Sequence, residues 1–98
     1  MTKAELLEKD IEKSVELFKR VVRLNQRAIA TQSIIKYDFG FSCGSNGVSF
    51  TIYARSADGE YTQLNDGRSH YLGETYGKSL EDIEKEIAKE EKIGRAHV

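Results

Sequence analysis

A chain of 98 residues with a formal net charge of −1 is one domain with room for a single modest core and no overall basic field for nucleic acid. Its one cysteine, Cys43, excludes an internal disulfide or a multi-cysteine metal site and fits a reducing, cytoplasmic setting. No apolar run approaches the ~18 residues of a membrane span, and Glu5, Glu8 and Asp10 interrupt the apolar core that a secretory signal needs.

From Thr2 to about Ala30 there is neither Gly nor Pro, and apolar residues recur at helical spacing. The spacing predicts one long amphipathic helix, opened by the capping box Thr2-x-x-Glu5. In heptads, one seam runs Ala4, Leu7, Ile11, Ser14, Phe18, Val21, Asn25 and Ala28. Val15, Val22 and Ile29 form a second row beside it, with Leu6, Leu17 and Leu24 further round. That apolar face is too broad for a plain two-stranded coiled coil and suits a helix meeting a sheet on one side and a partner on another. The charges follow the macrodipole: Glu5, Glu8, Asp10, Glu12 and Glu16 come first, then Lys19, Arg20, Arg23 and Arg27.

The period changes to two at about Ser33. Ile35, Tyr37, Phe39, Phe41 and Cys43 fall on the inward face of a strand. Gly44-Ser45-Asn46-Gly47 is a hairpin turn into Val48–Arg55, whose inward residues are Val48, Phe50, Ile52 and Ala54. Asp58-Gly59 turns into a short strand over Tyr61–Leu64. Ser69 to Leu72 reads either as a fourth short strand or as an irregular return across the sheet edge. Gly73 and Gly77 bracket Tyr76 in a loop. Ser79-x-x-Asp82 opens a second helix with Leu80, Ile83, Ile87 and Ala88 on one face and Gly94 as its stop. The expected architecture is α+β: a long N-terminal helix, a three-stranded (or four-stranded) antiparallel meander and a C-terminal helix, in the order α-β-β-β-α. It forms one domain over residues 1–94, followed by a flexible tail, 95–98.

Roughly 29 helical residues at ~1.5 Å each reach ~43 Å, against a diameter of ~33 Å for a globule of this size. The first helix is therefore expected to overhang its own sheet at its C-terminal third and to make a homodimer there, through Phe18, Val21, Val22, Asn25 and Ile29. Asn25 reads in two ways, as a polar residue fixing register between paired helices or as a cap or solvent-facing amide near the helix end.

His70, the one internal histidine, lies near Asp66 and Glu74, which are the partners it would need as a general base or metal ligand. Without a second histidine or a cysteine beside it, an exposed loop histidine is the expectation. Cys43 reads as a small inward-facing hydrophobe. The glycines of 40–47 join two strands and lack a Lys, so they form a turn and not a phosphate loop. Arg20, Arg23 and Arg27 share a helical face and can hold phosphates; the other reading is a solvated face paired with acids of the second helix. Tyrosine with arginine on an open sheet face or rim is interface composition, which marks Tyr53, Arg55, Tyr61, Tyr71 and Tyr76 as partner-binding residues.

The order α-β-β-β-α resembles that of the double-stranded-RNA-binding domain. That family carries a basic cluster at the start of its last helix; here Lys78-Ser79-Leu80-Glu81-Asp82-Ile83-Glu84 turns acidic after Lys78, which argues against that activity. In its small size and lack of catalytic motif the chain also looks like accessory proteins of phages and other mobile elements, which bind and block a host protein. The sequence therefore leads to a non-catalytic protein-binding module, a homodimeric inhibitor or adaptor without metal or cofactor. The alternative is nucleic-acid or nucleotide binding through Arg20, Arg23, Arg27 and exposed tyrosines.

Overall fold

Thr2 opens the first helix as its spacing to Glu5 predicts: Thr2 Oγ1 accepts from the Glu5 N–H at 3.1 Å, and Glu5 Oε1 accepts from the Thr2 N–H at 3.2 Å. In the computed structural model, which describes residues 2–42, 44–74 and 80–93, α1 runs Lys3–Ala30. It ends where Gln32 takes a left-handed backbone conformation with φ 55°. There the Ser33 N–H donates to the Ala28 carbonyl and the Gln32 N–H to that of Ile29, which satisfies two carbonyls at the helix end.

β1 (Ile35–Ser42) and β2 (Gly47–Arg55) form the predicted hairpin, with Ile35 opposite Ala54 and Phe41 opposite Val48. β3 (Tyr61–Gln63) and β4 (His70–Tyr71) both pair antiparallel with β2, so the fourth strand exists. They share one edge of β2: β3 covers its end at Tyr53–Arg55 and β4 its start at Gly47 and Val48. Asn65 closes the gap between them. Its side chain accepts from the Ile52 N–H and donates to the Phe50 carbonyl, each at 2.9 Å, as a strand's backbone would. α2 (Leu80–Ile93) completes the α+β fold.

The core lies between the helices and one face of the sheet. Leu17, Val21, Leu24 and Ala28 of α1 meet Ile35, Tyr37, Val48, Phe50 and Ile52 of the sheet and Leu80, Ile83 and Ile87 of α2. The buried row of α1 is Asp10, Ser14, Leu17, Val21, Leu24 and Ala28. Leu17 and Leu24, expected further round, are its centre, whereas Ile11 and Phe18 of the expected seam face out. Of the expected apolar face of α2, Ala88 is exposed, and Glu90 takes the next core position, its carboxylate accepting from Tyr37 Oη at 3.1 Å.

The 28-residue α1 runs most of the molecule's 48 Å length. The less buried end is the N-terminal one: residues 2–9 contain no buried side chain, and their ties are Leu7 against the core and Lys3 to Glu74. The C-terminal third, expected to overhang, is instead anchored. Leu24 and Ala28 are in the core, and Asn25 donates to the Tyr37 carbonyl at 2.7 Å and accepts from its N–H at 2.9 Å. Cys43, Tyr76, Gly77, Ser79, Gly94 and the tail 95–98 lie outside the described residues.

Candidate functional site: an open apolar row on α1

One residue on from each member of the buried row lies a second row with the same alternation of four- and three-residue steps: Ile11, Val15, Phe18, Val22, Asn25 and Ile29. A step of one residue rotates ~100° about a helix axis, which carries this row off the sheet. Its apolar members remain in solvent, from Val22 at 40% exposed to Ile29 at 78%. A contiguous row of large apolar side chains is the kind of surface that marks a binding site.

The row joins the end of β1. The strand alternation places Phe39 and Phe41 inward, yet Phe39 is only half-buried and Phe41 is 54% exposed, because neither helix covers this end of the strand. The edge of the Phe39 ring meets Phe18, with centroids 6.5 Å apart. Between α1 and β1 is a cleft of about 450 Å³ lined by Ile11, Ser14, Val15, Phe18, Phe39, Phe41 and Leu72. Ser14 is the one polar residue of that lining, and its hydroxyl donates to the Asp10 carbonyl at 2.8 Å. The cleft thus offers apolar contact and no directed chemistry.

Of the expected oligomer contacts, Phe18, Val22 and Ile29 lie on this row. Val21 does not: it is in the core. Asn25 is on the row, but its amide is spent on Tyr37, so it neither fixes register with a second helix nor faces water freely.

The expected phosphate-binding arginines do not act as a set. Arg20 donates from Nη2 to Glu91 at 2.7 Å and from Nη1 to Glu84 at 3.1 Å. Arg27 donates from Nη1 and Nη2 to the Glu91 and Glu90 carbonyls at the end of α2, where cations offset the helix dipole. Arg23 is exposed. Lys13 joins the cluster with its ammonium 2.6 Å from Glu84. The hydrogen bond from Lys13, with Arg20 beside it, holds the Glu84 carboxyl below the usual carboxylate range, and Glu91 raises Arg20 in turn. This cluster ties α2 to the side of α1 away from the apolar row.

His70 is not an exposed loop residue. It is 5% exposed, and its Nε2 lies 3.2 Å from Oδ2 of Asp10, which also accepts from the Gly73 N–H at 2.9 Å. The residues expected to serve it pair elsewhere, Asp66 with Arg68 and Glu74 with Lys3. Gly73 has a φ of +77°, and a Cβ there would lie 3.3 Å from Leu7, so a glycine is needed for the chain to pass this close to α1. No sequence signal links Asp10 to His70 across 60 positions.

Of the expected partner-binding residues, Tyr53 and Tyr61 meet edge-on at 6.3 Å on the outer sheet face, with the Lys36 ammonium 5.4 Å from the Tyr61 ring centroid. Arg55 is opposite Tyr61 in the register. Tyr71 stands apart on β4, its ring 3.6 Å from where a Cβ on Gly47 would lie. Among the described residues no helix is long and apolar enough to cross a membrane. Comparisons with protein-family models, with curated proteins and with solved structures give no match.

Proposed function

We propose that the chain is a non-catalytic protein-binding module, a small inhibitor or adaptor of the phage or mobile-element accessory type, which self-associates through α1 and acts by engaging another protein. The observation that carries this reading is the open apolar row Ile11, Val15, Phe18, Val22 and Ile29 beside the Phe39–Phe41 cleft. Covering such surface is favourable by ~25 cal/mol per Å² removed from water, and nothing within the described chain covers it. The Tyr53–Tyr61–Lys36 face, on the other side of the sheet, stays available to the second protein. Two further observations support the reading. The Asp10–His70 pair is buried and serves to hold the Gly73 turn to α1. The nucleic-acid alternative loses Arg20 and Arg27 to α2.

Sedimentation velocity over roughly 1–200 µM tests the self-association. Twice the 11.1 kDa chain mass is expected at the upper end, and Phe18→Asp should return the protein to single-chain mass with its helical circular dichroism intact. Single-chain mass for the unmodified protein throughout that range would remove self-association from the reading.

A further inference from the structure

Building on the self-association just proposed, we infer that the occupant of the open row is a second copy of this chain, with the two α1 helices side by side and antiparallel. The row itself sets the register. Its alternating steps make Val15 and Val22 one kind of core position and Ile11 and Phe18 the other. Antiparallel helices pair one kind with the other, and two twofold registers do so: one sets Val15 against Asn25, whose amide is held by Tyr37, and brings the two Lys19 residues together, whereas the other pairs the inner apolar residues with one another and is the one inferred. It sets Val15 against the second copy's Phe18 and Ile11 against its Val22, and closes with Ala4 against Ile29. Glu8 falls opposite Asn25, one polar layer between the inner and outermost apolar ones.

Charge chooses the direction. The exposed flank of the row, on the side away from the sheet, carries Glu5 and Glu12 in the N-terminal half and Lys19 and Gln26 in the C-terminal half. In the antiparallel register Glu12 of each copy meets Lys19 of the other, twice by symmetry, and Glu5 meets Gln26. A parallel pair would instead set the acidic halves together and the basic halves together. The other flank of the row is the sheet side, where Phe41 is exposed and available to the second helix. The Lys13–Arg20–Glu84–Glu91 cluster lies on a different side of α1 and need not move.

Two measurements on the full chain, with Cys43→Ser so that labels attach only where placed, test the arrangement. In the first, Glu12→Lys or Lys19→Glu alone should weaken the dimer roughly tenfold at low salt, since each creates two like-charge contacts, and the double exchange should restore it to within about twofold. A parallel pair predicts no such rescue. In the second, a spin label at Gln26→Cys should report a separation of about 29 Å across the antiparallel dimer, from ~19 residues at ~1.5 Å each. In a parallel pair the same labels would lie about 10–15 Å apart. A dimer giving the short distance, or no rescue, overturns the antiparallel register and leaves self-association standing. Single-chain mass at every concentration overturns both.

Discussion

The two rows of α1 are one residue apart, have the same spacing and meet opposite fates. Leu17, Val21 and Leu24 are sealed under the sheet and α2, while Val15, Phe18 and Val22 stand in water. The buried row is the less apolar of the two at its N-terminal end, since it includes Asp10 and Ser14. Hydrophobicity alone therefore does not decide which row goes inside. Asp10 is tolerated there because His70 and the Gly73 N–H satisfy it, and Ser14 because its hydroxyl turns back to the helix carbonyl at Asp10. The more apolar row is left largely outside, its internal contacts limited to Phe18 against Phe39 and Asn25 on Tyr37, which is why it reads as an interface.

The contrast can be broken or sharpened by substitution. Leu17→Ala should have the largest effect, a loss of about 2–5 kcal/mol in urea unfolding, because it opens a cavity at a fully buried position. Asn25→Ala comes next, at about 1–3 kcal/mol, since it strips the Tyr37 N–H and carbonyl of their partner in a part-buried setting. Acid should act more weakly through Glu84. Its folded-state pKa is lowered by Lys13, so its contribution is complete above its ordinary value near 4.5 and is lost as pH falls through the folded value. Glu84→Gln should lower stability slightly at pH 7 and change little at low pH, which flattens that acidic limb of a stability-against-pH curve. Val15→Ser should be smallest. At concentrations where single chains prevail, its unfolding free energy should stay within about 0.5 kcal/mol of the unmodified protein, even though it removes an apolar side chain two positions from Leu17. A large loss there would mean that the open row is part of the fold.

Much of the fold is legible in the sequence because it follows from local patterns. The capping box at Thr2, the change of period near Ser33 and the glycines at 44 and 47 locate α1 and the first hairpin within a few residues. The choice between the two rows was not legible, because a broad apolar face fits either orientation and the deciding contacts come from elsewhere in the chain. The same holds for the anchoring of the C-terminal third. Length predicts an overhang but not its end, and the end is set by Asn25 on Tyr37 and Arg27 on the last turn of α2. Phe18, Val22 and Ile29 were singled out from their type and spacing and are exposed in the structure, whereas the exposure of Phe39 and Phe41 was not legible. Strand alternation assigns them inward, and only the crossing of α1 shows that cover runs out beyond Tyr37. The pairing of Asn65 with Phe50 and Ile52 spans more than ten positions, and no local pattern announces it.

The two asparagines at the sheet margins have a further consequence. Tyr37 directs its N–H and carbonyl away from β2, along the free side of β1, and Asn25 occupies both. Asn65 does the same for Phe50 and Ile52 on the opposite side. A bare strand margin is a template on which a stray chain can add itself, and successive additions grow into fibrils. Each amide side chain fills one backbone-sized slot and presents no new slot beyond it, so growth has nowhere to continue. By this logic the asparagines protect the protein in crowded or partly heated solution, where loss of Asn25 would show first as fibrils that bind an amyloid dye.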